Sequence, residues 1–120
     1  MDYEHVLGID VNWVNSPDDS SNAGDPVKKD PHDPKGERPA VDPVKAAANW
    51  KMAYDAGIRF AFIKATEWGA DRYFSERMQY AKDAGVLRSA YILPHFELDN
   101  IKDQADMFIN TVGADKGELP

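Results

Sequence analysis

Acidic and basic side chains gather where three apolar runs of this chain turn polar. Asp10 lies near the end of the run Val6 to Val11, VLGIDV; Lys64, Thr66 and Glu67 follow directly on Phe60 to Ile63 in FAFIKATEWG; His95, Glu97 and Asp99 crowd the residues after Ser89 to Leu93, SAYIL. A carboxylate buried in an apolar segment without compensation costs several kcal/mol. Acidic residues kept at the ends of apolar runs therefore point to a working cleft, and in parallel α/β architectures the C-terminal ends of the strands are where chemistry is done. One further cluster, Asp30, His32 and Asp33, has metal-ligand residue types. It sits in a Pro-rich tract as a weak pattern, and neither a metal nor a cofactor is expected.

The elements that must position these groups alternate. Val6 to Val11 reads as a first strand. Residues 16–43 follow, 28 residues rich in Asp, Pro, Ser and Gly without hydrophobic periodicity, read as a long loop insertion. A helix then begins either at Asp42-Pro43, with Asp as N-cap and Pro at the first helical position, or at Asn49, and stops at Gly57. Phe60 to Glu67 is a buried strand that hands its carboxylate to the rim. Asp71 offers the N-cap of a second helix with the apolar stripe Phe74, Met78 and Ala81. Ser89 to Leu93 is the third strand, broken by Pro94, and Asn100 caps a third helix that carries Ile101, Ala105, Phe108 and Val112 and stops at Gly113. The triplet Asp-Ala-Gly closes both of the first two helices, at residues 55–57 and again at 83–85, 28 residues later.

Strand-helix units recurring at that period predict parallel βα units with right-handed crossovers. GIDVNWVN lacks the glycine pattern of a phosphate-binding turn, which disfavours a nucleotide-binding open sheet. Strand ends bearing Asp10, Glu67 and Glu97 fit a (β/α) barrel-type parallel sheet better. The chain has 120 residues where a full barrel enzyme takes about 250, so the expectation is one domain over 1–120 with about three βα units, an incomplete barrel truncated at its C-terminal end, where a fourth strand is expected to start at Glu118. One parity problem arises: Lys64 and Glu67 face opposite sides of an ideal strand, so a bulge or the strand's end must separate them.

Composition narrows the function classes. The formal charge of -7 argues against a nucleic-acid footprint. No apolar run approaches the roughly 20 residues of a membrane span, and MDYEHVLGID has neither the basic nor the apolar region of a signal peptide. Without cysteine there are no disulfides or thiolate metal sites, and the compartment cannot be read.

Taken together and in order, GIDV (Gly8 to Val11), N-W-x-x-A-x-x-A-G (Asn49 to Gly57), F-x-F-I-K-A-T-E (Phe60 to Glu67), D-x-x-F (Asp71 to Phe74), A-x-x-A-G (Ala81 to Gly85), Ala90-Tyr91 and Q-A-x-x-F (Gln104 to Phe108) resemble glycoside hydrolase family 25. These are lysozyme-type muramidases that cleave the β-1,4 bond between N-acetylmuramic acid and N-acetylglucosamine in peptidoglycan. The resemblance implies a distorted (β/α) barrel with an acidic groove, Asp10 as the active-site aspartate of the first strand, and Lys64, Glu67 and Tyr91 as groove residues that bind substrate. It implies peptidoglycan or a related polysaccharide as partner and action on the cell wall, by secreted or phage-encoded proteins.

The departures from the family pattern shape the expectation as much as the matches. The Asp-x-Glu motif that carries the family's proposed general acid is missing, and glycoside hydrolysis needs an acid paired with a second group, so this chain is expected to be inactive alone. The chemical weight moves away from Glu67 as the acid. The family's Tyr-His-Phe on the third strand reads Tyr91-Ile92-Leu93 here, and His95 three residues on is not an assured replacement. Unpaired edges on the first and third strands would favour self-association or a complementing chain. The alternative is a non-catalytic wall-binding or structural module, for which Trp13, Trp68 and Tyr91 would supply stacking faces.

Overall fold

The computed structural model describes residues 7–11, 42–71 and 73–119. Trp13, His32 and the insertion, apart from Asp42 and Pro43, lie outside the described residues. Among the described residues six elements alternate: β1 (Leu7–Val11), α1 (Pro43–Asp55), β2 (Ile58–Thr66), α2 (Phe74–Ala84), β3 (Leu87–Ile92) and α3 (Ile101–Val112). The strands form one parallel sheet in the order β1-β2-β3, so the chain is α/β, and three parallel strands in an open sheet with their helices make the incomplete barrel that the repeat implies.

Local chemistry explains the boundaries. Of the two possible starts for α1, the Asp42 side chain settles the matter, because its Oδ1 accepts from the Val44 N–H at 2.9 Å and the Lys45 N–H at 3.3 Å with Pro43 in the first turn. The two Asp-Ala-Gly triplets mark the same device. Gly57 and Gly85 adopt φ of 111° and 89°, a region that side chains with a Cβ avoid, and each turns a helix end into the next strand.

Helix α2 differs from expectation at its start. Asp71 is not its N-cap; Tyr73 holds that position. The Asp71 N–H is committed to the Ala65 carbonyl at 2.8 Å, which keeps Asp71 outside the helix. Its carboxylate serves the start of the helix from there, accepting from the Tyr73 N–H at 2.9 Å and the buried Arg77 guanidinium at 2.7 Å.

The core forms on one face of the sheet. Ala61, Ile63 and Ala65 alternate along β2 and are fully buried with Val11 and Trp50, and Phe74, Met78, Ala81 and Val86 complete the cluster. Phe108 and Val112 of α3 pack against it, part-buried. Alternation puts Asp10, Phe62 and Lys64 on the opposite face, where Asp10 is the register partner of Phe62 and Lys64 that of Tyr91. That face is only partly covered, with Phe62 at 42% exposure.

The outer edge of β3 is not open as expected. Gly117 forms an isolated antiparallel bridge with Ser89, and the N–H groups of Glu118 and Leu119 both donate to the Arg88 carbonyl, at 2.8 and 2.9 Å. Arg88, buried at 2% exposure, locks the segment in place by donating to both Asp115 (2.7 and 3.1 Å) and Glu118 (2.6 and 3.1 Å). The residues at the expected start of a fourth parallel strand therefore approach β3 in the antiparallel sense. Among the described residues no helix is long and apolar enough to cross a membrane.

Candidate active site

The parity problem of β2 is solved by an irregularity at its end. Lys64 pairs with Tyr91 and Thr66 with Ile92, so two steps on β2 oppose one on β3, which is the count of a β-bulge. Past it the chain folds into a tight turn in which the Glu67 N–H donates to the Gly69 carbonyl at 3.1 Å and Thr66 bridges Ala70. The Glu67 carboxylate thereby swings back over the face it would otherwise leave, and Lys64 Nζ donates to its Oε1 at 2.6 Å.

Two small networks result on this rim. In the first, the Tyr91 hydroxyl donates to Asp10 Oδ1 at 2.5 Å, joining β1 to β3 across the central strand. In the second, Lys64 and Glu67 continue into His95, whose Nε2 lies 3.3 Å from Glu67 Oε2 and whose Nδ1 lies 3.0 Å from Glu97 Oε1. The indole of Trp68 stacks on the His95 ring with centroids 3.5 Å apart and planes 20° from parallel, and the rest of Trp68 is exposed.

The electrostatics follow from these contacts. The hydrogen bond from Lys64, helped by its charge and by His95, outweighs burial and holds the Glu67 carboxyl below its ordinary value of 4.5. Glu97 is likewise held low, first by its own backbone N–H and then by His95. Both carboxylates thus favour the ionised form, which accepts hydrogen bonds. A neutral His95 ring can donate to only one of its two carboxylate neighbours, whereas an imidazolium satisfies both.

All four site residues singled out in the sequence lie on this rim, as the pairs Asp10–Tyr91 and Lys64–Glu67. His95 and Trp68, both noted in the sequence, join them through contacts with Glu67 and with each other that the sequence does not show. Ile92, at the position of the family's histidine, is the strand partner of Thr66, while His95 enters the rim from the following loop. The only sequence signal for that would be the crowding of His95 with Glu97 beyond a proline. Among the described residues no group of three His, Asp or Glu side chains is arranged to hold a metal ion.

The parallel α/β sheet thus collects Asp10, Lys64, Glu67 and Tyr91 at the C-terminal ends of its strands, the side on which parallel α/β folds carry their sites. A profile of the glycosyl hydrolases family 25 matches residues 42–120, and the chain belongs to that family. It is similar to the uncharacterized protein YegX of Escherichia coli (strain K12), 42% identical over 72 residues that make up 55% of this chain and 25% of that protein. It is also similar to lysozyme M1 of Streptomyces globisporus, 38% identical over 74 residues, 58% of this chain and 24% of that one. The solved muramidase from Trichobolus zukalii overlays with a TM-score of 0.47 at 34% identity, over 57% of this chain and 32% of that chain. The chain spans about a quarter of the length of the curated relatives it matches.

Proposed function

We propose that this chain supplies the first part of a glycan groove for peptidoglycan, in a protein that hydrolyses the β-1,4 bond between N-acetylmuramic acid and N-acetylglucosamine. The observation that carries the reading is the Asp10–Tyr91 hydrogen bond on the open face of the sheet, in a chain of the glycosyl hydrolases family 25. In this reading the Asp10 carboxylate, oriented by the Tyr91 hydroxyl, stands beside the reacting sugar and stabilises positive charge that develops there. Lys64 and Glu67 present a donor and an acceptor to sugar hydroxyls and amides, and Trp68 offers its free face to a ring.

A second reading is favoured by one observation. Glu67 and Glu97 are both held low, so neither suits the part of a proton donor to the leaving oxygen, for which a raised value is needed. The 120-residue chain would then bind wall without cutting it. Sedimentation with insoluble peptidoglycan, with released reducing ends measured in the supernatant, tests both. Retention without release is expected, and Asp10→Asn weakens it. Absence of retention sinks the groove, and turnover lost in Glu67→Gln sinks the assignment of Glu67 as a pure acceptor.

We also propose that any self-association or complementation by another chain uses β1. Among the described residues β1 pairs with β2 alone, whereas the 117–119 segment covers β3. A light-scattering mass that stays monomeric across a wide concentration range would rule out self-association.

A further inference from the structure

We propose that Gln104 is the positioning residue of this rim: it fixes the backbone of His95 so that the imidazole lies on Trp68 and against Glu67. The inference rests on the groove reading above and extends it to a side chain that touches no sugar. Gln104 stands in the first turn of α3 at 5% exposure, the one buried residue of that helix. A buried primary amide is costly unless its hydrogen bonds are made, and here two of the three go to His95 and the third to Asn100. Gln104 Oε1 accepts from the His95 N–H at 2.8 Å, and Nε2 donates to the His95 carbonyl at 3.0 Å and to Asn100 Oδ1 at 2.7 Å.

Only one orientation of the amide works. Flipped, it would set its NH₂ against the His95 N–H and its oxygen against two acceptors. Both backbone groups of His95 are thus held by one planar fork, as a neighbouring strand would hold them. That fixes the direction of the His95 Cα–Cβ bond, and the ring then reaches Glu67 at 3.3 Å, Glu97 at 3.0 Å and the face of Trp68 at 3.5 Å. A leucine of similar size would fill the space and make none of these bonds. The geometry requires the amide for the pose of the imidazole, beyond any need to dock α3.

The test is proton NMR of the full chain. Ring protons of His95, assigned by their loss in His95→Gln, are expected to be displaced upfield by the shielding face of Trp68. Gln104→Leu is expected to abolish this displacement while the methyl signals of the core residues Ile63 and Val86 stay in place. Gln104→Glu keeps the acceptor, loses the donor and retains part of the displacement, and it serves as the variant if Gln104→Leu does not fold. Unchanged His95 shifts in the folded variants overturn the proposal. So do core methyls that move together with the His95 signals, since Gln104 would then be a packing residue only. Retention on peptidoglycan by the same samples is expected to weaken about tenfold in Gln104→Leu, the scale of a lost hydrogen-bonding pair. If the wild type is not retained while the shifts behave as expected, the groove reading fails and the positioning stands. If displacement is lost but retention is undiminished, the positioning by Gln104 stands and the pose of His95 has no part in binding.

Discussion

The hydroxyl of Tyr91 lies 2.5 Å from a carboxylate oxygen of Asp10, a residue 81 positions earlier on a strand that does not neighbour its own. A long side chain on β3 therefore reaches across β2 to orient a short acidic one on β1. Tyr91→Phe removes the hydroxyl and little else. Because Asp10 is exposed and water can replace the lost donor, the change in stability is expected to stay within about 1 kcal/mol. Retention on peptidoglycan is expected to fall several-fold. A melt shifted by much more, or unchanged retention, would show that the pair holds the sheet together and does not tune the groove.

Among the described residues four carboxyls with depressed values shape the acid limb of the stability profile, the fully exposed Glu97 contributing least. Hydrogen bonds from Arg88 hold Asp115 below 3.8 and Glu118 below 4.5, and Lys64 holds Glu67 below 4.5. A depressed folded-state value means that the stability each group contributes is fully present above its ordinary value. It is lost as pH falls through the lower, folded one. Thermal melts are thus expected to be level in these groups above about 5 and to decline in acid. In Arg88→Met that decline shrinks, leaving the part due to Glu67 and Glu97. An unchanged acid limb in that variant would remove Asp115 and Glu118 from the account.

How far the sequence reading reached depends on whether a feature is local. The central strand was legible because its apolar residues, its Ala-Gly entry and its polar exit lie within a dozen positions. The start of α1 was narrowed to two places by Asp42 and Asn49, and the choice needed only the Asp42 cap. The bulge after Lys64 could be required on grounds of parity but not placed, because it exists only in register with β3. The Arg88 lock was invisible: an arginine in a strand reads as exposed, and its partners lie 27 and 30 residues away in an unpatterned stretch. His95 was in plain view as a residue. Its contact with Glu67, 28 positions earlier, depends on a loop whose path Gln104 sets from the next helix.

Gly117 is where the covering of the β3 edge is most sensitive. Its φ is 79°, and a Cβ there would come within 2.2 Å of the Arg88 carbonyl oxygen, a backbone atom that cannot move aside. Gly117→Ala combines an unfavourable backbone region with a clash and is expected to cost about 1–3 kcal/mol in urea unfolding. The 115–119 segment should also release, seen as faster amide exchange at Glu118 and Leu119. A neutral substitution would mean that the segment is not fixed against β3 in solution.

The Lys64–Glu67 pair separates the cost of an unpaired charge from the worth of a bond. The Lys64 side chain is 8% exposed and that of Glu67 22%, so the ammonium is the more deeply buried partner. Glu67→Gln strands that cation, leaving only a neutral amide oxygen before it, and is expected to cost about 2–3 kcal/mol. Lys64→Met leaves a carboxylate that water still reaches and His95 still faces, and it should cost less. It should also raise the Glu67 titration midpoint, since the leading cause of its depression is gone. The double variant Lys64→Met/Glu67→Gln buries no unpaired charge and should recover most of the loss caused by Glu67→Gln. Urea melts of the four proteins form a double-mutant cycle. If the single costs simply add in the double variant, the two side chains are not coupled and the ion pair does not fix the Glu67 carboxylate over the rim.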